Sequence, residues 1–531
     1  MNATFLRTWI LSVVRFGAVA TAAVALSGCA WGSANTHRAY RPVVVEGVDI
    51  NVVYDVLVHG FDEIQDRAMD DPPLDTMFMA ALNGMKTVDP ALQIKSAKKN
   101  LALYYNDRKV MELGPESKPD VRTWSLTTLR AVMGARRSSP AFRALDEEAL
   151  YKVVFGYALT TLDPYSRYAG RQVAASLRLV REGVIGLGVR LELNSDGALV
   201  KAILDDSPAS TAGLHLNDMI VQANGVSLKN RQLAEVRRRL DGGVGTTVNL
   251  TVRRPGEQTP LDIKVALDLV VPDTVAETFD NGILVLTVHS FNQRTAYAVE
   301  KAVTTARESG KLKGIVLDFR GNGGGLLDQA VDIADLFLDS GDIITLRGRH
   351  PDANQFYKAN PGDIVAGIPI AAVIDGKSAS AAEIVVAALQ DNHRAAVVGT
   401  VSWGKGSVQT IRRLPNAGEF ALTWARAITP RGAALHGLGL LPNICLSNEA
   451  DSATNVTNRI RAGVGANAEA QRLWRAPEDN PAAHEALRNA CPAEAHADRA
   501  LDLEVAKKIL SDPALLALAT PGDTSHLALN P

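Results

Sequence analysis

The sequence predicts a multidomain protein of the α/β and β classes, on three observations. Its 531 residues exceed the usual size of one domain. Residues 43–178 carry apolar residues mostly at helical spacing, which indicates a helical N-terminal region. Short valine- and leucine-rich segments over 183–270 indicate a small, partly open barrel, and strands alternate with helices over 275–447, which indicates a layered α/β core. Residues 448–531 carry no strand signal and predict a helical C-terminal tail.

The composition narrows the function classes. The formal net charge is −2 and only 5% of the residues are aromatic, so neither a basic surface nor base stacking favours nucleic acid as a partner. Apolar residues make up 47% and charged residues 21%, which is ordinary for a globular protein.

Residues 1–28 have the layout of a secretory signal peptide. Arg7 and Arg15 supply positive charge, and the apolar run "FGAVATAAVALSG" follows. The run ends in "LSGC" (26–29), which resembles the bacterial lipobox, and this predicts a lipid anchor on Cys29 and a tether over 29–42. Ala30 in the next position implies sorting to the outer membrane by the same resemblance. The alternative is an ordinary signal peptide with a chance cysteine.

Two further cysteines remain, Cys445 and Cys491. An exported chain with two spare cysteines favours a disulfide between them. The alternative is a pair of buried free thiols.

The glycine cluster "DFRGNGGGLLD" (318–328) follows a predicted strand and opens a helix. Backbone N–H groups at such a turn can bind an anion. A phosphate loop is excluded because no "GK[ST]" follows, and the spacing does not fit a dinucleotide site. Three consecutive glycines exceed what a flexible turn needs and favour close approach of the backbone to a ligand.

The segment "DGKSASAAE" (375–383) holds two serines at a predicted strand–helix junction. This resembles a nucleophile elbow, but "GxSxG" is absent, which argues against an α/β-hydrolase. His393 follows the predicted helix and is expected at the surface. Without further context, Ser378 or Ser380 is a helix N-cap.

Lys405 offers a base in place of histidine. It stands between two glycines in the apolar segment "VGTVSWGKGSVQT". A buried lysine loses its proton easily and can then deprotonate a serine hydroxyl. Gln409, four residues on, falls on the same side and could accept a hydrogen bond from Lys405. The alternative is an exposed lysine in a glycine turn.

These segments together resemble the carboxyl-terminal processing proteases, also called tail-specific proteases. The family reads "DLRGNPGG", "SASE" and "GKGSVQ" where this chain reads "DFRGNGGG", "SASAAE" and "GKGSVQ". "LDPYSRY" (162–168), "LTWARAITPRG" and "HGLGLLPNI" also resemble family segments, and "AGLHLNDMIVQANGVSL" resembles the family's PDZ domain. The resemblance implies a PDZ domain at 183–270 and a crotonase- or ClpP-like layered protease core at 275–447.

The resemblance also implies roles for individual residues. Ser380 matches the nucleophile, Lys405 the general base and Gln409 the residue that orients the base. Gly324, with Gly323 or Gly325 beside it, and Ala381 match the oxyanion hole, whose donors stabilise the developing charge. The PDZ groove, formed near Gly186, Leu187 and Gly188 and by a helix over 231–240, would bind the substrate's C-terminal carboxylate by strand addition.

Three positions depart from the family pattern. Gly323 replaces a proline, Ala382 a second serine, and Tyr165 a histidine. None of the replaced residues is a nucleophile or a base in the family, so an active enzyme is still expected.

The predicted function is therefore a lipid-anchored serine endopeptidase of the bacterial periplasm that cleaves exported proteins at or near their C-termini, with protein or peptide substrates whose C-termini are apolar. No cofactor is expected, and the 10 histidines form no "HExxH" cluster of a metallohydrolase. The alternative is a non-catalytic, PDZ-based peptide-binding lipoprotein, against which the presence of both Ser380 and Lys405 argues. An adaptor protein and a homo-oligomer, with the tail as a candidate for assembly, are left open.

Overall fold

The computed structural model describes residues 44–45, 47–71, 73–97, 100–115, 120–463, 470, 473–474, 481–496 and 498–520. The predicted signal peptide, the tether and the lipidation site at Cys29 lie outside these residues. Among the helices of the described part, none is both long and apolar enough to span a bilayer.

The N-terminal region contains helices that pack around an aromatic core. Asp49 caps the first helix by accepting a hydrogen bond from the N–H of Asn51 (3.0 Å). Phe61, Phe78 and Trp124 are fully buried and pack against one another. The helices are α1 (Ile50–Arg67), α2 (Leu74–Gly84), a 3₁₀ turn (Met85–Thr87), α3 (Val121–Ser138), α4 (Pro140–Arg143), α5 (Glu147–Leu159) and α6 (Arg171–Glu182).

The prediction that this region is helical throughout is wrong between Leu92 and Pro115. An antiparallel sheet lies there, in the order β3-β4-β5, and Asn106 and Asp107 both adopt left-handed backbone conformations (φ 48° and 59°) in its hairpin turn. Strands of six to eight residues are too short to stand out between long helical patterns. The strands of the region are β1 (Val44–Val45), β2 (Val48–Asp49), β3 (Leu92–Ala97), β4 (Asn100–Tyr105), β5 (Arg108–Pro115) and β6 (Arg167–Ala169).

The barrel over 183–270 is present. Its main sheet has the order β13-β12-β10-β9-β8, so β8 is an edge strand, and the entering and leaving strands β7 and β14 pair with each other. The helix predicted over 231–240 is α8. The elements are β7 (Val184–Gly186), β8 (Val189–Asn194), β9 (Gly197–Ile203), α7 (Pro208–Thr211), β10 (Met219–Ala223), β11 (Val226–Ser227), α8 (Leu233–Arg239), β12 (Thr247–Arg253), β13 (Leu261–Ala266) and β14 (Asp268–Val270).

The core holds a six-stranded sheet in the order β15-β16-β17-β20-β21-β24. Every pairing beyond β15 is parallel, and β17, β20 and β21 are buried throughout, which explains their apolar sequences. The sheet strands and the helices that follow them are β15 (Val275–Asp280), β16 (Ile283–Val288), α9 (Thr295–Glu308), β17 (Gly314–Asp318), α10 (Leu327–Leu336), β20 (Ile370–Ile374), α11 (Ala381–Asp391), β21 (Ala395–Gly399) and β24 (Ile444–Cys445).

A second sheet, β19-β18-β23-β22, joins the core to the N-terminal region. Strand β6 pairs with β23, and Phe155 packs edge-to-face on Phe420 with 4.9 Å between the ring centroids. The N-terminal helices therefore share one apolar cluster with the core. The elements are β18 (Asp342–Arg347), a 3₁₀ turn (Pro351–Ala353), β19 (Gln355–Lys358), β22 (Ser407–Arg413) and β23 (Glu419–Ile428).

The C-terminal tail is helical, as predicted, and it forms a layer of the core. Val505 and Ile509 are fully buried in a cluster with Val316, Val373 and other residues of the six-stranded sheet. A disulfide joins Cys445 to Cys491. The described helices of the tail are α12 (Ala453–Arg461), α13 (Pro481–Ala490), α14 (Ala500–Leu510) and α15 (Pro513–Ala519).

Candidate active site

The predicted site residues surround one cleft of about 420 Å³. Its lining includes Ser380, Ala381, Lys405, Gln409 and the glycine segment 323–325. The strand order explains why the glycine segment and Ser380 lie close together. Strands β17 and β20 are adjacent and parallel, so the loop with residues 323–325 after β17 and the loop with Ser380 after β20 lie at the same edge of the sheet. His393 is exposed at the far end of α11, as expected.

Ser380 sits in a strained turn at the start of α11. Its backbone has φ 59° and ψ −117°, a conformation that a residue with a side chain adopts only when its surroundings enforce it. Ser378, in contrast, is fully buried and donates from Oγ to the Phe319 carbonyl (2.8 Å). The structure thus gives Ser378 a structural position and Ser380 a position on the cleft.

Glu383 connects the serine segment to the lysine segment. Its carboxylate is completely buried and accepts from the N–H groups of Ser380 (2.7 Å), Gly404 (2.7 Å) and Lys405 (2.9 Å), and from Ser402 Oγ. Burial raises the pKa of the Glu383 carboxyl, and the four donors oppose that shift. Because α11 fixes Glu383 three residues after Ser380, these bonds set the position of Lys405 relative to Ser380.

Lys405 is enclosed by a segment of the N-terminal region. The Tyr165 ring centroid lies 5.6 Å from its Nζ. Burial lowers the pKa of Lys405, and the positive charge of Arg167 lowers it further, while Glu383 and Asp163 act in the opposite direction. The structure therefore does not contain an exposed lysine in a glycine turn, and the pKa of Lys405 is shifted in the direction that a general base requires.

Gln409 lies at the cleft but does not contact Lys405 through the predicted hydrogen bond. Its Nε2 donates to Ser407 Oγ (3.1 Å) and to Thr423 Oγ1 (3.2 Å) instead. A register shift between Val408 and Gln409 places Gln409 opposite Thr423 on the neighbouring strand.

The glycine segment approaches the serine turn closely. A Cβ on Gly324 would lie 2.8 Å from Ser380 Cβ, and Gly324 has φ 97°, so only glycine fits there. However, the Gly324 N–H donates to Asn322 Oδ1 (2.8 Å), so this predicted oxyanion donor is engaged within the protein. The N–H of Ala381, the first residue of α11, forms no such bond within the described residues.

Sequence reasoning overlooked the helix that covers the cleft. Leu177, Val180 and Arg181 of α6 line it. Arg178 pairs with the buried carboxylate of Glu419 at 2.5 Å, and Arg181 lies 3.4 Å from the same group. The domain boundary expected at residue 178 falls inside this helix. Glu419, the one charged residue in the otherwise apolar segment "EFALTWA", was the available sign that a basic partner packs against β23.

The C-terminal tail also reaches the site, although its sequence shows no catalytic pattern. The Gly376 N–H donates to the Glu494 carbonyl (2.6 Å), and the His496 N–H donates to Asp375 Oδ2 (2.9 Å). Both contacts hold the loop that leads into Ser380. Backbone partners of this kind leave no signature in a sequence.

The residues predicted for the PDZ groove lie at a tightly packed loop. The Leu187 carbonyl accepts from the Ala209 N–H (2.8 Å), and Gly188 has φ 78°. A Cβ on Gly188 would lie 2.3 Å from Ser207 Cβ, so this position requires glycine. The loop leads directly into β8, which lies at the edge of its sheet and pairs on one side only within the described residues.

We expect Glu383→Gln to lower both stability and activity. In the variant an amide NH₂ replaces one of the two carboxylate oxygens, each of which accepts from two donors. The NH₂ would then face donors instead of acceptors, which lowers the free energy of unfolding by at least about 2 kcal/mol. Thermal unfolding and kcat of the variant measure the two effects, with the exposed Glu300→Gln as the control. Wild-type melting temperature and wild-type kcat together would contradict the assigned role of Glu383.

Comparisons with known proteins agree with this architecture. The model of peptidase family S41 matches residues 282–446, and the PDZ domain model matches residues 186–265. The chain is 37% identical over 304 residues to a carboxy-terminal-processing protease of Bartonella bacilliformis, covering 56% of this chain and 70% of that one. It is 31% identical over 299 residues to a CtpA-like serine protease of Staphylococcus epidermidis, covering 55% and 60% of the two chains.

Among solved structures, the photosystem II D1 C-terminal processing protease matches with 22% identity and a TM-score of 0.36, covering 73% of this chain and 92% of that chain. The family assignment rests on the sequence relatives and on the family models. The chain belongs to peptidase family S41, among the carboxy-terminal-processing proteases, and carries a PDZ domain.

Proposed function

We propose that this protein is a serine endopeptidase that cleaves exported proteins at or near their C-termini, with Ser380 as nucleophile and Lys405 as general base. The observation that carries the proposal is that both residues line one cleft, in which burial lowers the pKa of Lys405. Family membership supports the reaction class.

The proposed reaction begins when the neutral amine of Lys405 accepts the proton of Ser380 Oγ. The oxygen attacks the scissile carbonyl carbon, and the C=O electrons move onto the oxygen to form a tetrahedral intermediate. The N–H of Ala381 stabilises the oxyanion, together with a donor from the glycine segment 323–325. The Lys405 ammonium then protonates the leaving amine, and water hydrolyses the acyl-enzyme by the reverse sequence.

The PDZ domain is proposed to select the substrate. A C-terminal peptide would add to the free side of β8, with its carboxylate at the loop of Gly186, Leu187 and Gly188. Leu187 and Val236 belong to the apolar cluster beneath this region, which supports a preference for apolar terminal side chains.

We further propose an envelope location, because the N-terminal sequence resembles a lipoprotein signal. Cleavage before Cys29 and lipidation of its thiol would tether the protease to the membrane, and Ala30 favours the outer membrane. A single acyl chain binds a membrane only weakly, whereas two or more acyl chains on one residue give stable anchoring.

We expect Ser380→Ala and Lys405→Ala each to lower kcat by at least about 10³-fold, because the first variant lacks the nucleophile and the second lacks the group that transfers the proton. The assay uses the chain from residue 31 and a loosely folded protein with an apolar C-terminus. Lys152→Ala, an exposed lysine on α5, is the control. Equal cleavage by wild type and both variants would refute the dyad, and binding without cleavage by wild type would favour a peptide-binding module.

We expect a peptide with a C-terminal amide to bind about ten- to hundred-fold more weakly than the free acid, because a charged acceptor is lost. Fluorescence anisotropy with Ser380→Ala protein measures both dissociation constants. Gly188→Val should lose the difference between the two peptides, whereas Gly243→Ala, at an open position of the same domain, should keep it. Equal affinities for acid and amide in the Ser380→Ala protein with an otherwise unchanged PDZ domain would refute carboxylate recognition.

We expect full-length wild-type protein to sediment with the membrane fraction and Cys29→Ser protein to remain soluble after cell lysis. The serine cannot carry the thioether-linked lipid. Fractionation and immunoblotting measure the distribution. Soluble wild-type protein would indicate an ordinary signal peptide instead.

A further inference from the structure

The segment "LDPYSRY" of the N-terminal region contributes a polar network beneath the cleft. Asp163 Oδ1 accepts from the N–H groups of Tyr165 (2.8 Å) and Ser166 (3.0 Å), and Oδ2 accepts from Ser166 Oγ (2.5 Å). Thr423 Oγ1 donates to Asp163 Oδ1 (2.8 Å), and the Thr423 N–H donates to Ser166 Oγ (3.0 Å). Asp163, Ser166 and Thr423 are thus each hydrogen-bonded to the other two.

The network reaches the cleft through Gln409, whose Nε2 lies 3.2 Å from Thr423 Oγ1. Gln409 and Thr423 are directly opposite each other on β22 and β23, and β6 pairs with the same β23 at Glu419–Ala421. Because β6 pairs with β23, the segment just before β6 places Asp163 next to Thr423. Because β22 also pairs with β23, Gln409 lies next to the same threonine.

The chemistry of the donors fixes the direction of every bond. Asp163 Oδ1 already accepts from two backbone N–H groups, so it is an acceptor toward Thr423 as well, and the Thr423 hydroxyl must donate its one proton to it. The Thr423 oxygen can then only accept from Gln409, which requires the NH₂ end of the amide. The carbonyl Oε1 remains, and no donor within the described part of the chain uses it.

We propose that Asp163 and Thr423 are positioning residues for the catalytic base, which hold the Gln409 amide so that its Oε1 is presented to Lys405. This inference rests on the proposed roles of Ser380, Lys405 and Gln409. It explains how a glutamine that does not bond Lys405 in this structure is prepared to accept from it when Lys405 becomes an ammonium during the reaction.

The charges that surround Lys405 decide the expected pH dependence. Arg167 disfavours the ammonium, and Asp163 and Glu383 favour it. The Tyr165 ring lies over the Lys405 Nζ and packs edge-to-face on the His436 ring, and burial lowers the pKa of His436. A hydrogen bond to Gln409 Oε1 stabilises the ammonium more than the amine. Loss of that acceptor therefore lowers the pKa of Lys405, and the acid limb of the pH–rate profile moves to lower pH.

The test is Thr423→Val, which keeps the shape of the side chain and removes the hydroxyl that links Asp163 to Gln409. We expect kcat to fall about 10- to 100-fold, as for other partners that orient a catalytic group, with KM within about two-fold. The acid limb of kcat should move to lower pH. Thr423→Ser retains the hydroxyl and should restore kcat to within about three-fold of wild type, and Thr423→Ala replaces the valine variant if the latter does not fold.

Three results would overturn the inference: an unchanged kcat in Thr423→Val, a lower kcat with an acid limb at unchanged or higher pH, or no recovery in Thr423→Ser. The second and third would indicate a packing role. Ser380→Ala is assayed in parallel. If that variant still cleaves, the proposed function fails, whereas an inactive Ser380→Ala beside a fully active Thr423→Val refutes the positioning role alone.

Discussion

The arrangement of the site depends on one buried carboxylate. Glu383 lies within the core with no exposed surface, and it is tolerable there because four donors converge on it. Those donors belong to two segments that are distant in sequence, the serine turn and the strand-less segment before β22. Because donors from both segments satisfy the two oxygens of Glu383, this carboxyl group holds Ser380 and Lys405 at one separation.

Around this centre, three parts of the chain outside the central sheet complete the site. The N-terminal segment at Asp163–Arg167 encloses Lys405, α6 covers the cleft through the Glu419 ion pairs, and the tail holds the loop before Ser380. The N-terminal region and the tail each pack on the core through a buried apolar cluster, whereas α6 is held by its ion pairs with Glu419. The pKa of Lys405 therefore depends on several segments, since Arg167 and the Tyr165 ring belong to the N-terminal region and not to the segment before β22.

Most differences between the sequence-based prediction and the structure concern hydrogen-bond partners. Lys405 and Gln409 were identified by type and spacing, and both line the cleft. The Gln409 amide donates to Ser407 Oγ and Thr423 Oγ1 and does not accept from Lys405 in this structure, where a register shift places Gln409 opposite Thr423. Gly324 was chosen as an oxyanion donor, and Asn322 takes its N–H. The strands over 92–115 were hidden between helices, since short alternating segments carry little periodic signal.

Sequence patterns predicted a small barrel followed by a layered α/β core, and they identified the chemical types of the residues at the cleft. Buried parallel strands form apolar runs, which made the core strands visible in the sequence. The serine, the lysine and the glycines each had a structural alternative, and their combination and order in the chain favoured a common cleft. Which groups face one another could be seen only in the folded chain. Hydrogen-bond direction, the burial of Glu383 and Lys405, and the contacts of α6 and the tail arise from pairings across hundreds of residues, and local patterns cannot encode distances between atoms that meet only after the sheets have formed.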